Sequence, residues 1–159
     1  MGRKRFVFLM IGLFFSVLVA GTALVASAGQ TARALQHPAN KSGVMGRIFF
    51  TDNGSGPIVT GTATGLSPST VGRYITLVYD KGSVPGGPTN CEPTVLLPGM
   101  FVGIWVSDVA GNGLLQQLAP PSAIAPLGTF DTVSIRDTTI NGGFGPTAVV
   151  ACGEVAVNP

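Results

Sequence analysis

The sequence predicts an all-β, antiparallel domain of seven or eight strands behind a short export segment. Three observations carry that expectation. Charged residues make up only 10% of the 159-residue chain against 45% hydrophobic, with 23 Gly and 12 Pro. From Gly46 onward, short β-branched and aromatic runs alternate with turns rich in Gly, Pro and Asn. Beyond the N-terminal segment, no stretch sustains a 3.6-residue apolar period over the length of a helix. Few charges and much Gly and Pro, without a repeat, argue against a bundle or coiled coil. The abundance of β-branched residues sets the chain apart from disordered ones.

Met1–Arg5 is basic, Phe6–Val19 is an uncharged apolar run, and Ala26-Ser27-Ala28 closes a stretch of small residues. This order predicts a secretory signal peptide over residues 1–28, cleaved after Ala28. The alternative is an uncleaved anchor. Phe6–Val25 holds 20 uncharged residues, enough to span a bilayer with the domain outside. No Cys stands at the cleavage site to carry a lipid. Residues 29–43 are polar and read as a flexible lead-in, leaving residues 44–159 as the domain.

Within the domain, Gly46–Thr51 is the first expected strand, with a turn at Asp52–Gly56. Ile58–Leu66 follows, then a turn at Ser67–Thr70 and a strand over Arg73–Tyr79. Lys81–Pro98 reads as a loop. Met100–Val109 is next, ending in Gly111-Asn112-Gly113. Asn-Gly between apolar runs signals a hairpin because both residues tolerate positive φ, so Leu114–Leu118 should pair back. Ala119–Pro126 is too Pro-rich for an interior strand. Phe130–Ile135 and Ala148–Val157 complete the set across a Gly-rich connection, Asp137–Thr147.

Cys91 and Cys152 are the chain's two cysteines. In an exported protein they are expected to be oxidised and paired. That link closes a loop of 61 residues, stabilising by about 4 kcal/mol on the chain-entropy model.

Several chemistries are excluded or unsupported. Three of the nine cations are Arg3, Lys4 and Arg5, so the rest of the chain sets six basic residues against seven acidic ones. No basic patch for nucleic acid remains. One His and two Cys are too few for a zinc site built from this chain alone. Ser67, Ser69 and Thr70 have no histidine in the domain to serve as base. Most carboxylates lie at expected turns, where Asp is a turn former. Asp80 and Glu92 flank the long loop as a conceivable weak cation site, with solvated loop acids as the simpler reading. Trp105, Phe101 and Tyr74 read as core rather than as a ligand platform. Asn40 and Asn53 head N-x-S/T triplets, which matter only in a glycosylating host.

His37 reads as a solvated residue of the lead-in. A sharper reading rests on Ala32-Arg33-Ala34 as a second cleavage triplet. Cleavage there would leave Leu35-Gln36-His37 at the new N-terminus, a square-planar nitrogen site suited to Cu(II) or Ni(II).

Several segments carry a family resemblance. Gly61-Thr62-Ala63-Thr64-Gly65-Leu66-Ser67-Pro68, with Gly72 and the strand to Asp80, resembles the G-T-x-x-G-L-x-P … G-x-H-x-H-x-x-x-D segment of copper,zinc superoxide dismutases. Cys91 falls where that family has its loop cysteine. Phe101-Val102-Gly103 and Asp108–Gly113 resemble its H-V-G-D-L-G-N strand and D-x-N-G hairpin, and Val133-Ser134-Ile135 resembles the strand before its G-R region. Ala151-Cys152-Gly153-Glu154-Val155 resembles its terminal A-C-G-V-I. The resemblance spans Ile58 to Val157. It implies a Greek-key β-barrel or flattened sandwich with one disulfide, Cys91–Cys152.

The departures bear on function. The family's two copper histidines in G-x-H-x-H correspond to Tyr74 and Thr76. The His before V-G becomes Phe101, the zinc Asp becomes Ile104, the last copper His falls near Asn141, and the anion-guiding Arg becomes Val149. The segment Glu92–Met100 contains no His. Such side chains cannot replace imidazole and carboxylate donors, and apolar packing is expected to fill the former site. The expectation is a secreted, non-enzymatic dismutase-like domain with no cofactor and no catalytic or metal residues, acting in a structural or binding role toward an unknown protein or surface. Membrane association is expected only if the N-terminal segment stays uncleaved. Two alternatives are a metal-dependent redox protein with unrecognised ligands and an extracellular β-sandwich of chordin-repeat type. The latter shares a T-G-L-x-P strand, but the His pair that usually follows it is missing.

Overall fold

Alternating burial along each β-rich run leaves one face of every strand needing cover, and here the strands cover one another by closing into a barrel. The computed structural model describes residues 29–80 and 101–158. Its strands are β1 (Thr31–Pro38), β2 (Met45–Asp52), β3 (Pro57–Thr64), β4 (Ser69–Tyr79), β5 (Phe101–Ser107), β6 (Gly113–Gln117), β7 (Thr132–Asp137) and β8 (Val149–Asn158). All pairings are antiparallel, in the closed order β1-β2-β3-β6-β5-β4-β7-β8, with β8 returning to β1. Among the described residues the only helical pieces are three single 3₁₀ turns, Pro121–Ala123, Asn141–Gly143 and Pro146–Ala148. No helix among them is long and apolar enough to cross a membrane. Residues 1–28, and with them the expected signal or anchor, lie outside the described residues, as do the loop Lys81–Pro98, Cys91 and Glu92.

Residues 29–43 require a correction. They do not form a flexible lead-in. Thr31–Pro38 is a strand whose register runs Ala34 opposite Ile48 on β2 and opposite Val155 on β8. Ala32, Ala34 and Gln36 are buried on its inner face. Small and polar inner residues give almost no hydrophobic alternation, so the period-2 signal was absent. The β domain therefore begins at Thr31. With β1 included, cleavage after Ala34 would remove half of a wall strand, which leaves the copper or nickel reading of His37 without support.

The interior is organised around Trp105, which is fully buried on β5. A Cβ on Gly61 would stand 3.0 Å from the indole, and one on Gly113 would stand 3.3 Å from it and 2.4 Å from Leu66 Cδ1. Two glycines on β3 and β6 thus leave room for the largest side chain of the core. Phe50 and Phe130 pack at a centroid distance of 5.3 Å with tilted planes. The β5–β6 hairpin forms where Asn112-Gly113 predicts it, but the positive φ is at Gly111 (83°). The Asp108 carboxylate closes that turn by accepting from the amides of Ala110 and Asn112 and from Asn112 Nδ2.

Candidate functional site

Strand β4 carries the first two positions at which the resemblance places metal ligands. Its side chains alternate, so Tyr74, Thr76 and Val78 face the barrel interior, while Leu77 and Tyr79, with Ile75, pack as a separate cluster on the outer face. Both inward hydroxyls are engaged. Tyr74 Oη accepts from the Ser67 amide at 3.0 Å. Thr76 Oγ1 accepts from the indole N–H of Trp105 at 2.7 Å. A buried indole N–H needs such a partner.

Phe101 and Ile104 lie elsewhere. A register shift in the β4–β5 pairing sets Thr76 opposite Gly103 but Leu77 opposite Phe101. The extra residue on β5 puts Phe101 and Ile104, three apart in sequence, opposite Leu77 and Ile75 on the outer face. Phe101 is 39% exposed and Ile104 half-buried. Asn141 is exposed at the start of a 3₁₀ turn with φ of 48°, and its carbonyl accepts from the Phe144 amide. The five positions Tyr74, Thr76, Phe101, Ile104 and Asn141 therefore do not line one site. Two are in the core, two on the outer face of β4–β5 and one in a loop. The apolar filling expected of a single vacated site is replaced by these separate environments, because a pleated strand sends alternate residues to opposite faces. Tyr74 and Thr76 have committed oxygens, while Phe101 and Ile104 have no donor atoms, so this set does not fit copper or zinc. Among the described residues no three His, Cys, Asp or Glu side chains gather as a metal-holding group.

On the outer face beside Leu77 lies a polar cluster that the sequence did not reveal. Arg136 on β7 is fully buried. Its Nε donates to Ser134 Oγ at 3.0 Å, and Nη1 donates to the carbonyls of Gly143 at 3.0 Å and Gly145 at 3.1 Å. Nη2 is buried without a partner. Burial pulls the Arg136 guanidinium below its ordinary pKa, opposed by neighbouring Tyr79. Burial likewise pushes the Tyr79 phenol up, opposed by Arg136 and Ser134. The cluster pins the 141–148 segment over β7. An arginine inside a short V-S-I-R-D run gives no warning of burial, since charged residues are usually exposed.

Next to it, Arg73 bonds Asp137 through Nε at 3.2 Å and Nη2 at 3.0 Å. Its guanidinium also stacks 5.2 Å from the Tyr74 ring centroid. Burial raises the Asp137 carboxyl, but hydrogen bonds from Thr139 and Arg73 outweigh it and hold the group below the usual carboxylate range. The side-chain hydrogen bond to Asp137 raises Arg73.

Cys152 is buried on β8, opposite Ser134 on β7 and His37 on β1. Its expected partner Cys91 lies outside the described residues, as does Glu92, which with the half-buried Asp80 flanks the long loop. His37 is exposed on the outer face of β1. Neither a scan of protein-family models nor a search of curated proteins found a match to this chain.

Proposed function

We propose that this chain is an exported, non-enzymatic domain of the copper,zinc superoxide dismutase type, in which the metal chemistry has been lost and a structural or binding role remains. The observation that carries the reading is the hydrogen bond from Trp105 to Thr76, which commits one of the two copper-ligand positions to the core. The strand order supports the fold half of the proposal. Strands β4, β5 and β6 follow one another as neighbours, with β3 beside β6 and β7 beside β4. We read this as two overlapping Greek keys. The chain is exported through its N-terminal segment, cleavage after Ala28 leaves β1 whole, and Cys91 pairs with Cys152.

Metal analysis of the purified chain, with a superoxide assay, tests the reading. The expected result is neither copper nor zinc in stoichiometric amount and no turnover above buffer. Stoichiometric metal, with activity that a chelator abolishes, overturns it. Mass spectrometry of a non-reduced digest should yield one cross-linked peptide pair carrying Cys91 and Cys152, and N-terminal sequencing of the secreted protein should begin at Gly29.

A further inference from the structure

The dipeptide Asn-Gly occurs three times in the chain, at Asn53-Gly54, Asn112-Gly113 and Asn141-Gly142. Such a pair is open to spontaneous deamidation. The backbone nitrogen of the second residue attacks the asparagine carboxamide carbon, and a glycine there has no Cβ to hinder the approach. The attacking nitrogen must give up its proton, so an acceptor or a negative charge held against that N–H slows the reaction. All three pairs share this intrinsic chemistry, and the fold discriminates among them.

At Asn112-Gly113 both partners are blocked. Asn112 Nδ2 donates to Asp108 Oδ2 at 3.1 Å, and the Asn112 amide donates to Asp108 Oδ1 at 2.9 Å. Gly113 is buried in β6, opposite Ser107 on β5 and Ala63 on β3. Cyclisation there requires the hairpin to open.

At Asn53-Gly54 both residues are exposed, but the nucleophile is occupied. The Gly54 amide donates to Asp52 Oδ1 at 2.8 Å, a charge-assisted bond that holds the proton in place. Asn53 Oδ1 accepts from the Ser55 amide at 2.9 Å, which ties the carboxamide as well.

Asn141-Gly142 has none of these restraints. Both residues are exposed. The hydrogen bonds of this turn run from the Gly143 amide to the Ile140 carbonyl and from the Phe144 amide to the Asn141 carbonyl. Among the described residues, the Asn141 carboxamide and the Gly142 N–H take part in neither these bonds nor any other. A Cβ built on Gly142 would meet nothing nearer than the Phe144 ring at 3.6 Å, so the surroundings are open. Asn141 also sits at φ of 48°, a left-handed conformation that raises the energy of the resting turn. The charge bonded to this segment from β7 is a cation, since Arg136 Nη1 holds the carbonyls of Gly143 and Gly145. A cation favours the deprotonated amide.

We propose that Asn141 is the chain's site of spontaneous deamidation. The Gly142 nitrogen bonds to Asn141 Cγ, the carboxamide nitrogen leaves as ammonia, and a succinimide ring closes. Water then adds to one of the two ring carbonyls and opens the ring to aspartate or isoaspartate. The net change is amide plus water to carboxylate plus ammonium, with no oxidant or reductant. In the isoaspartate form the main chain runs through the former side-chain carbon and is one methylene longer. That withdraws the carbonyl that the Phe144 amide bonds and sets a new carboxylate in the segment held by Arg136. The modification therefore loosens the cover over the buried guanidinium.

The test is ageing of the purified, folded chain at mildly alkaline pH beside a sample in urea, with peptide mapping by mass spectrometry. In urea the three pairs should convert at comparable rates. In the folded chain Asn141 should lead both others by about tenfold or more, because they react only after local opening. Asp52→Ala, which frees the Gly54 amide, should speed Asn53 and leave Asn141 unchanged. Amide exchange at Gly143 and Phe144 should be faster in the aged native chain than in equally aged Asn141→Gly, which keeps the positive φ and cannot deamidate. The proposal is overturned if Asn53 or Asn112 converts as fast as Asn141 in the folded chain. It is also overturned if Asn141 leads equally in urea, or if no pair converts in the folded chain while all do in urea. Equal exchange in the two aged chains would overturn the loosening.

Discussion

The indole of Trp105 donates its N–H to the hydroxyl of Thr76 across the β4–β5 pairing at 2.7 Å, both residues being fully buried. Thr76→Val keeps the shape of the side chain and removes the acceptor. Urea unfolding should show a loss of about 1–3 kcal/mol, since the indole N–H is left desolvated and unpaired. Thr76→Ser, which keeps the oxygen, should lose less of this hydrogen-bond energy. Equal losses in the two variants would mean that the missing methyl, not the hydrogen bond, sets the cost.

Gln36→Leu should act in the opposite direction. It replaces an amide with two buried unpartnered atoms by an apolar group of similar size. Thermal and urea melts are expected to show a gain of about 1 kcal/mol. A loss of stability would show that the amide is satisfied in solution.

Arg136 holds the carbonyls of Gly143 and Gly145 and the hydroxyl of Ser134. Arg136→Met abandons all three acceptors while retaining much of the buried volume. The expected cost is about 2–4 kcal/mol, with amide exchange accelerating first at Gly143 and Phe144. Their amides bond the carbonyls of Ile140 and Asn141 inside the segment that the guanidinium pins. Uniform acceleration across the barrel would instead indicate a global effect.

The Arg73–Asp137 pair predicts an acid limb. The Asp137 carboxyl is held below its ordinary value, so its contribution is present above the unfolded-state pKa, about 3.9. It is lost as the pH falls from about 4 through the lower folded value. Denaturant midpoints between pH 5 and pH 2 should fall steeply in the native chain and less steeply in Asp137→Asn. Parallel slopes would place the acid sensitivity elsewhere.

Chains begun at Gly29 and at Leu35 test the corrected boundary. The longer one should melt cooperatively by circular dichroism. The shorter one, stripped of the residues that pair with Ile48, Phe49, Phe50 and Thr51, should not.

The strands from Met45 onward were legible because apolar and β-branched residues alternate there between clear turn formers. Strand β1 was hidden by an inner face of Ala, Ala and Gln, where tertiary closure supplies what local pattern does not. Turn chemistry placed the β5–β6 hairpin correctly but credited the positive φ to Asn112-Gly113, whereas Gly111 takes it and Gly113 is needed for the space beside Leu66 and Trp105. The candidate site was less readable. Spacing alone cannot show that a register shift brings Phe101 and Ile104 to the same face, nor that Arg136 is buried beneath a segment seven to nine residues later.

The pairing of β1 with β8 joins Thr31 to Asn158, 127 residues apart. A chain delivered N-terminus first, whether from a ribosome or through a translocation channel, can pair β1 with β2 early but must leave the other edge of β1 unmatched until β8 has emerged. The cylinder is therefore sealed only once β8 is available, and any truncation within β8 leaves both flanks of the seam raw and adhesive to other chains.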